Sequence, residues 1–357
     1  MGKIKIEDLD RNFSLEPEPD EADITYYNCL RSPFEIHGLL APENASDVFH
    51  RIPSEIAKSI SPGVEKMNAC TAGGRVRFRS NSPYVAIDAE IPNANKMPHM
   101  AFTGSIGFDL YEWRDGKEVY IKSFIPPLGI QDSYRAAIKL DDTRERDLVI
   151  NFPLYSSVKQ LRIGLSSRST IQKCRPYSNP FPIVYYGSSI TQGACASRPG
   201  NSYESMISRM LDTDYINLGF SGNAKGEQNM AKYISTLQMS AFVYDYDHNA
   251  PDTAYLERTH GAMFEIIRNA QPKLPIVIVS RPTPRRSEAA DARFEVIKRT
   301  YEGAVAAGDR NVCLIDGRSI MSGIADGSGT VDGCHPNDLG FYSMAQKIGA
   351  QLACFLS

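Results

Sequence analysis

The spacing of apolar residues changes once along this chain, and that change restricts the folds it can adopt. Between residues 70 and 170 apolar side chains recur at every second position, as they do from Val85 to Ile91. This spacing is typical of β-strands that bury one face. Turn-forming segments such as Arg114–Lys117 separate the runs. Several short strands with short connections predict an antiparallel β-sandwich.

Beyond the Pro- and Ser-containing segment 175–182, short apolar runs alternate with segments of helical periodicity. Strands are predicted at Ile183–Tyr186, Tyr215–Leu218, Ala241–Tyr246, Ile276–Val279 and Val312–Ile315. Long helices are predicted at Thr253–Asn269 and Glu288–Ala307. Strands that alternate with helices form a parallel sheet with helices on both faces, and ligands bind beyond the carboxyl ends of its strands.

A chain of 357 residues has room for two domains. We place an acidic N-terminal extension at 1–30, a β-sandwich at 31–175 and an α/β domain at 181–357. The extension lacks the apolar core of a signal peptide, which predicts a cytoplasmic protein unless a leader has been removed. The seven cysteines are scattered without a CxxC pair, which argues against a disulfide framework and a structural zinc site.

The charge balance narrows the classes of partner. A net charge of -3 without a basic cluster argues against nucleic-acid and membrane-surface partners. No apolar run reaches the roughly eighteen residues that a membrane-spanning helix needs. The six histidines show no clustered ligand spacing, so no metal is expected. A small or neutral ligand fits this composition best.

A serine pair follows the first predicted strand of the α/β domain, in the order Gly187-Ser188-Ser189-Ile190. Glycines at a strand end allow a sharp turn, and a hydroxyl placed there needs only a base to become a nucleophile. Small polar residues at such a junction are also common as turn formers or helix caps. The segment alone therefore leaves both interpretations open.

Asp332 and His335 lie three residues apart in one loop before the C-terminal helix. This spacing allows the carboxylate to accept the Nδ1–H of the imidazole, which leaves Nε2 free to take a proton. The alternative is a helix-entry loop with His335 on the surface. The catalytic interpretation gains weight only beside a nucleophile.

Two further strand-end loops offer donors for an oxyanion. Gly219 follows one strand and Asn249 follows another, so the Gly219 N–H and the Asn249 side chain could join the Ser189 N–H. Taken singly, a glycine there is usually structural, and an asparagine is usually a turn former. Four loops that together offer a nucleophile, a base with its carboxylate, and oxyanion donors seldom occur in one domain by chance.

These residues resemble those of the SGNH hydrolases, also called the GDSL esterase and lipase superfamily. Ser189, Gly219, Asn249 and His335 stand in the order that the name records. The resemblance covers about residues 183–357 and implies a flavodoxin-like three-layer α/β/α fold. It implies Ser189 as nucleophile, an oxyanion hole of Ser189, Gly219 and Asn249, and a triad completed by Asp332 and His335.

The chain departs from the superfamily pattern at two loops. Where the superfamily usually has G-D-S, this chain has Gly187-Ser188-Ser189. Where the superfamily usually has G-x-N-D, this chain has Asp247-His248-Asn249-Ala250. Ser188 and His248 become candidate substrate-binding residues, and His248 is also a weaker candidate for the base. The segment Gly107–Tyr111 resembles the GxDLY motif of the sandwich that precedes the hydrolase domain in some bacterial members.

The resemblance implies a serine esterase without a cofactor or metal. The added sandwich favours short acyl groups, with acetyl expected, on a carbohydrate or small metabolite. Two alternatives stay open. One is an acyltransferase of the same fold, and the other is a catalytically decayed carbohydrate-binding protein. A homo-oligomer is also compatible with the sequence.

Overall fold

The computed structural model describes Asp10 and residues 23–283, 287–324 and 327–356. Its strands are β1 (Ile24–Asn28), β2 (Glu35–His37), β3 (Arg75–Ser80), β4 (Tyr84–Glu90), β5 (Phe108–Arg114), β6 (Lys117–Phe124), β7 (Ser133–Lys139), β8 (Arg146–Asn151), β9 (Gln160–Ser166), β10 (Ile171–Gln172), β11 (Asn179–Gly187), β12 (Thr213–Gly219), β13 (Ala241–Asp245), β14 (Ile276–Val279) and β15 (Val312–Ile315). Its helices are α1 (Ser54–Ile60), α2 (Pro62–Asn68), α3 (Phe102–Ser105), α4 (Ser189–Gln192), α5 (Tyr203–Leu211), α6 (Gln228–Ser235), α7 (Thr253–Ala270), α8 (Glu288–Ala306), α9 (Gly317–Ile320) and α10 (Asp338–Leu356).

The N-terminal domain is the predicted sandwich of two antiparallel sheets. One sheet has the strand order β1-β9-β4-β7, and the other has the order β10-β3-β8-β5-β6 with β2 beside β3. Successive side chains of a strand point to opposite faces. In β5, Phe108 and Leu110 therefore enter the apolar core between the sheets, while the residues between them face outward.

The sandwich begins earlier than the sequence indicates, and the predicted extension to residue 30 is wrong. Strand β1 pairs with β9 along its whole length. Gly164 of β9 makes room for it, because Ile24 and Tyr26 approach within 2.7 and 2.8 Å of the position that a Cβ would take there. The rest of the predicted extension, apart from Asp10 and residues 23–30, lies outside the described residues.

The N-terminal domain also contains helices α1 and α2, which the sequence pattern does not predict. Ser61 Oγ accepts the Val64 N–H at 3.2 Å, and Pro62 occupies the first turn of α2. Both are common features of a helix N-terminus. Ala57 and Val64 pack into the core of the C-terminal domain. The two domains therefore share apolar packing.

The C-terminal domain has the predicted three layers. Its parallel sheet has the order β12-β11-β13-β14-β15. Alternate residues of β11 serve different layers: Val184 and Tyr186 pack with α6, α7 and α8, whereas Ile183 and Tyr185 pack with α5 and α10. Strand β11 begins four residues before the predicted strand. Within the described residues, no helix has both the length and the apolar character needed to cross a bilayer.

The GxDLY motif in β5 joins the two domains. Asp109 is fully buried and accepts hydrogen bonds from Asn151 Nδ2 at 2.7 Å, the Gly200 N–H at 2.8 Å and the Arg198 guanidinium at 3.1 Å. The Tyr111 hydroxyl also contacts the Arg198 guanidinium. Gly200 and Arg198 belong to the loop that follows α4. The motif therefore holds the loop behind the serine pair, while its apolar residues fill the sandwich core.

We expect Asp109→Ala to lower the free energy of unfolding by about 3 kcal/mol. The substitution removes the carboxylate of a buried ion pair and leaves the Gly200 N–H without its acceptor. Urea unfolding, with Asp141→Ala at an exposed site as the control, measures the effect. Equal stability of the two variants would contradict the role of the motif.

Candidate active site

The two serines after β11 have different surroundings. Ser188 is buried, and its Oγ accepts the Ile190 N–H at 3.1 Å as the N-cap of α4. Ser189 is the first residue of α4, and its Oγ lies 2.9 Å from His335 Nε2. The Ser188 hydroxyl therefore caps the helix, and its contact with substrate stays a prediction. Ser189 is the serine that faces the imidazole.

Asp332 and His335 are linked through both the side chain and the backbone. Asp332 Oδ2 accepts His335 Nδ1–H at 2.7 Å, while Oδ1 accepts the N–H groups of Cys334 at 3.0 Å and His335 at 2.8 Å. Gly333 permits the tight turn with a φ of 80°. One carboxylate thus fixes the loop with one oxygen and the imidazole with the other.

The pKa of Asp332 is lowered, whereas the pKa of His335 is raised. Partial burial opposes ionisation of Asp332, but hydrogen bonds from His335 and Cys334 hold its pKa at about 2. A hydrogen bond with Cys334 and, after it, the interaction with Asp332 raise the pKa of His335 to about 9, against the opposing effect of burial. The carboxylate is thus charged at neutral pH and favours the protonated imidazole.

Helix α4 is held against the sheet at several points. The Thr191 hydroxyl donates to Asp245 Oδ2 at 3.0 Å, and Asn217 Nδ2 donates to the Thr191 carbonyl at 2.6 Å. A Cβ on Gly187 would come within 2.1 Å of Thr191 Oγ1. Burial, and then the neighbouring Asp247, raise the pKa of Asp245 to about 7. These contacts fix the position of Ser189.

Gly219 does not fit the predicted role of oxyanion donor. Its N–H already donates to Asn217 Oδ1 at 2.9 Å, and a Cβ on Gly219 would lie 2.2 Å from the Gln192 nitrogen. Gly219 is needed for close packing of α4 on β12. Gly222, three residues later, has a φ of 70° and open space around it, and its N–H has no acceptor among the described residues. Sequence spacing alone could not separate these two glycines.

Asn249 lies beside the same loop. Its Nδ2 donates to the Phe220 carbonyl at 3.1 Å. An amide group carries two N–H donors, so one of them remains for another acceptor. The bond to Phe220 ties the loop after β13 to the loop that carries Gly222.

The sandwich domain reaches the site, which the sequence does not predict. Tyr155 donates from its hydroxyl to the Ser189 carbonyl at 3.4 Å. The ring of His99, which is exposed, lies 6.2 Å from the His335 ring between centroids. Arg51 is buried, donates to the Gly219 carbonyl and stacks over Phe220. Both domains therefore shape the surroundings of Ser189 and His335.

Cys334 and His248 also meet near His335. The distance from Cys334 Sγ to His248 Nε2 is 3.3 Å. Burial tends to raise the pKa of Cys334, but hydrogen bonds with His248 and His335 lower it to about 6. His248 is separated from Cys334 by 86 positions, so sequence spacing gives no sign of this contact. The six histidines show no clustered ligand spacing in the sequence, and the fold brings one of them, His248, against Cys334.

Comparison with known proteins agrees with this architecture. Residues 181–353 match the GDSL-like lipase/acylhydrolase family, and residues 24–171 match the GxDLY domain, described as the N-terminus of SGNH-hydrolase-type esterases. No curated protein matches the sequence.

Solved structures extend the comparison over both domains. A GDSL-like lipase from Bacteroides ovatus ATCC 8483 is 30% identical, with coverage of 94% of this chain and 98% of that chain and a TM-score of 0.83. A salicylyl-acyltransferase from a tetracycline biosynthetic pathway is 18% identical, with the same coverage and a TM-score of 0.74. An acetyl xylan esterase from the rumen bacterium Butyrivibrio proteoclasticus is 13% identical, with coverage of 94% and 99% and a TM-score of 0.57.

The last two similarities concern the fold alone. The first spans nearly all of both chains at 30% identity, and the two family matches cover the sandwich and the α/β domain in turn. The chain therefore belongs to the GDSL-like lipase/acylhydrolase family, in the form with an N-terminal GxDLY domain, and it is a hydrolase.

Proposed function

We propose that the protein is a serine esterase with Ser189 as nucleophile, His335 as general base and Asp332 as the orienting carboxylate. The observation that carries the proposal is the continuous hydrogen-bond chain, 2.9 Å from Ser189 Oγ to His335 Nε2 and 2.7 Å from His335 Nδ1 to Asp332 Oδ2. His335 takes the Ser189 proton as Oγ attacks the ester carbonyl, and returns it to the departing alcohol. Water then releases the acid from the acyl-enzyme by the same steps in reverse order.

For the oxyanion we propose the N–H groups of Ser189 and Gly222 with the side chain of Asn249. The Ser189 N–H is at the first position of α4, where a helix leaves its N–H groups without intrahelical partners. Gly222 replaces Gly219 in the earlier expectation because the Gly219 N–H is already bonded. These donors would stabilise the negative oxygen of the tetrahedral intermediate.

The proposed substrate is a short-chain ester, with acetyl as the acyl group, on a carbohydrate or small metabolite. The support is the shared fold with an acetyl xylan esterase and with family two carbohydrate esterases. We expect kcat/KM for p-nitrophenyl acetate to exceed that for p-nitrophenyl palmitate by at least about tenfold, because a pocket that fits a short acyl group cannot bury a long one. Steady-state assays across chain lengths test this, and a preference for the long ester would refute it.

Acyl transfer is the second candidate, and one similarity favours it. The salicylyl-acyltransferase has the same two-domain fold over 94% of this chain. In that reaction an alcohol acceptor would replace water at the Ser189 acyl-enzyme. Product analysis with sugar and small alcohol acceptors separates the two, since only a transferase forms the new ester in excess over the free acid.

The pH dependence of kcat/KM should show that Cys334 tunes the base. His335 must be neutral to accept a proton, and its pKa is raised to about 9, so activity should rise with pH to a midpoint near 9. Cys334→Ser removes the largest cause of that increase and should move the midpoint to lower pH. Cys195→Ser, whose thiol donates instead to the His99 carbonyl, serves as the control. An unchanged midpoint in Cys334→Ser would contradict the coupling.

A further inference from the structure

Four side chains around Cys334, including the proposed catalytic base His335, are all of the types that bind zinc. Asp332, Cys334 and His335 each place one donor atom within 4.8 Å of the others. His248 adds its Nε2, which lies 3.3 Å from Cys334 Sγ. Three of these residues come from the loop before α10, and His248 comes from the loop after β13. The cluster is assembled only by the fold.

One separation in the cluster already matches a tetrahedral ion. Zinc binds sulfur at about 2.3 Å and nitrogen or oxygen at about 2.0 to 2.2 Å, so its ligand atoms lie about 3.5 Å apart. The 3.3 Å between Cys334 Sγ and His248 Nε2 already matches that spacing. The donor atoms of Asp332, Cys334 and His335 lie within 4.8 Å of one another, so side-chain rotation has to bring them closer before they share one ion. The Asp332 side chain is 39% exposed and the His335 side chain is 22% exposed, so an ion can reach them from solvent.

The donor chemistry favours one group of metals. Thiolate and imidazole select zinc and similar ions, whereas magnesium and calcium prefer oxygen ligands. Cys334 has the means to lose its proton, because His248 Nε2 lies within hydrogen-bond distance of its sulfur. Binding therefore exchanges the thiol proton for the metal and releases that proton to solvent, with no change in oxidation state.

We propose that Cys334, His248, Asp332 and His335 form a binding site for Zn²⁺, and that zinc at this site switches off ester hydrolysis. A metal-bound His335 can no longer accept the proton of Ser189, from which it lies 2.9 Å in the free protein. The site is thus inhibitory and not part of the catalytic cycle. The inhibition rests on the proposed esterase function, while the binding does not.

Binding is tested without any ester. Co²⁺ is titrated into the full chain, reduced and free of metal, and the thiolate-to-cobalt charge-transfer band is recorded in the near ultraviolet. We expect the band at one equivalent of Co²⁺ in the wild type and in Cys195→Ser, and its loss in Cys334→Ser. Zn²⁺ should bleach the band by displacement. A band that persists in Cys334→Ser, or no band in the wild type, would overturn the site.

Inhibition is tested separately with p-nitrophenyl acetate, each variant being assayed on the plateau of its own pH profile. We expect micromolar Zn²⁺ to inhibit the wild type and EDTA to restore it, while millimolar Mg²⁺ has no effect. Cys334→Ser and His248→Gln keep the proposed triad and should raise the inhibitory Zn²⁺ concentration at least about tenfold. Equal zinc sensitivity of these variants and the wild type would refute the inference. If the wild type hydrolyses no ester, the esterase proposal fails and the cobalt titration still decides the site.

Discussion

Ser189→Ala should lower kcat for p-nitrophenyl acetate by on the order of 10⁴- to 10⁶-fold, the loss seen when a triad nucleophile is removed. The reason is that Ser189 Oγ is the hydroxyl within 2.9 Å of His335 Nε2. KM should change little, because a Ser-to-Ala change removes one oxygen and leaves the surrounding surface intact. Active-site titration with a serine-reactive phosphonate, read by mass spectrometry, should label the wild type once and the variant not at all.

Ser188→Ala is the matched control, since it makes the same change one residue earlier. Ser188 Oγ caps α4, and loss of an N-cap costs about 1 kcal/mol of stability. We expect lower stability with kcat within about tenfold of the wild type, because any effect on Ser189 passes only through the position of the helix. Phosphonate labelling of Ser189→Ala, or inactivity of Ser188→Ala in a folded protein, would show that the nucleophile is misassigned.

The parts of the site that the sequence predicts are those set by local geometry. Asp332 and His335 share one loop, so a spacing of three residues is enough to bring them into contact. The strand end, the glycine and the serine pair predict a hydroxyl at this place, and the family resemblance selects Ser189 from the pair. The strands of the α/β domain are predictable for a similar reason, since each is a continuous apolar run between polar loops.

What the sequence does not predict depends on tertiary contacts. Gly219 is the donor expected from the sequence, and only the hydrogen bond from its N–H to Asn217 Oδ1 directs attention to Gly222, three residues later. The pairing of Cys334 with His248 joins two loops that are far apart in sequence. Strand β1 is short and follows an acidic segment, so only its pairing with β9 defines it. In each case the decisive partner lies on another element.

The GxDLY motif is predictable from the sequence in part: its strand is predictable, but the contacts of its outward side chains are not. Its alternation of apolar and polar residues predicts a strand with one buried face, and β5 has that form. The role of Asp109 was not predictable, because two of its three hydrogen-bond partners, Arg198 and Gly200, belong to the other domain. A carboxylate on the outward face of a strand is ordinarily solvated. Here it anchors the loop behind α4, which links the sandwich to the position of the nucleophile.

Asp332→Asn should lower kcat by on the order of 10⁴-fold while leaving the fold intact. Asp332 Oδ1 accepts the N–H groups of Cys334 and His335, so the amide oxygen of asparagine will take that position. The NH₂ group must then face His335 Nδ1, where Oδ2 stands in the wild type. An NH₂ group donates to Nδ1 and places the imidazole proton on Nε2, and that tautomer cannot accept the proton of Ser189.

The matched comparison is Asp332→Ala, which also removes the acceptor for the two backbone N–H groups. We expect it to lose activity as Asp332→Asn does and, in addition, to unfold at a lower temperature, because those N–H groups lose their partner. Steady-state kinetics and thermal unfolding of both variants separate the orienting role of the carboxylate from its role in the loop. If Asp332→Asn kept more than about a tenth of the wild-type kcat, the tautomer of His335 would not depend on Asp332. The base would then have to be oriented by another partner, for which the thiol of Cys334, which interacts with His335, is the candidate.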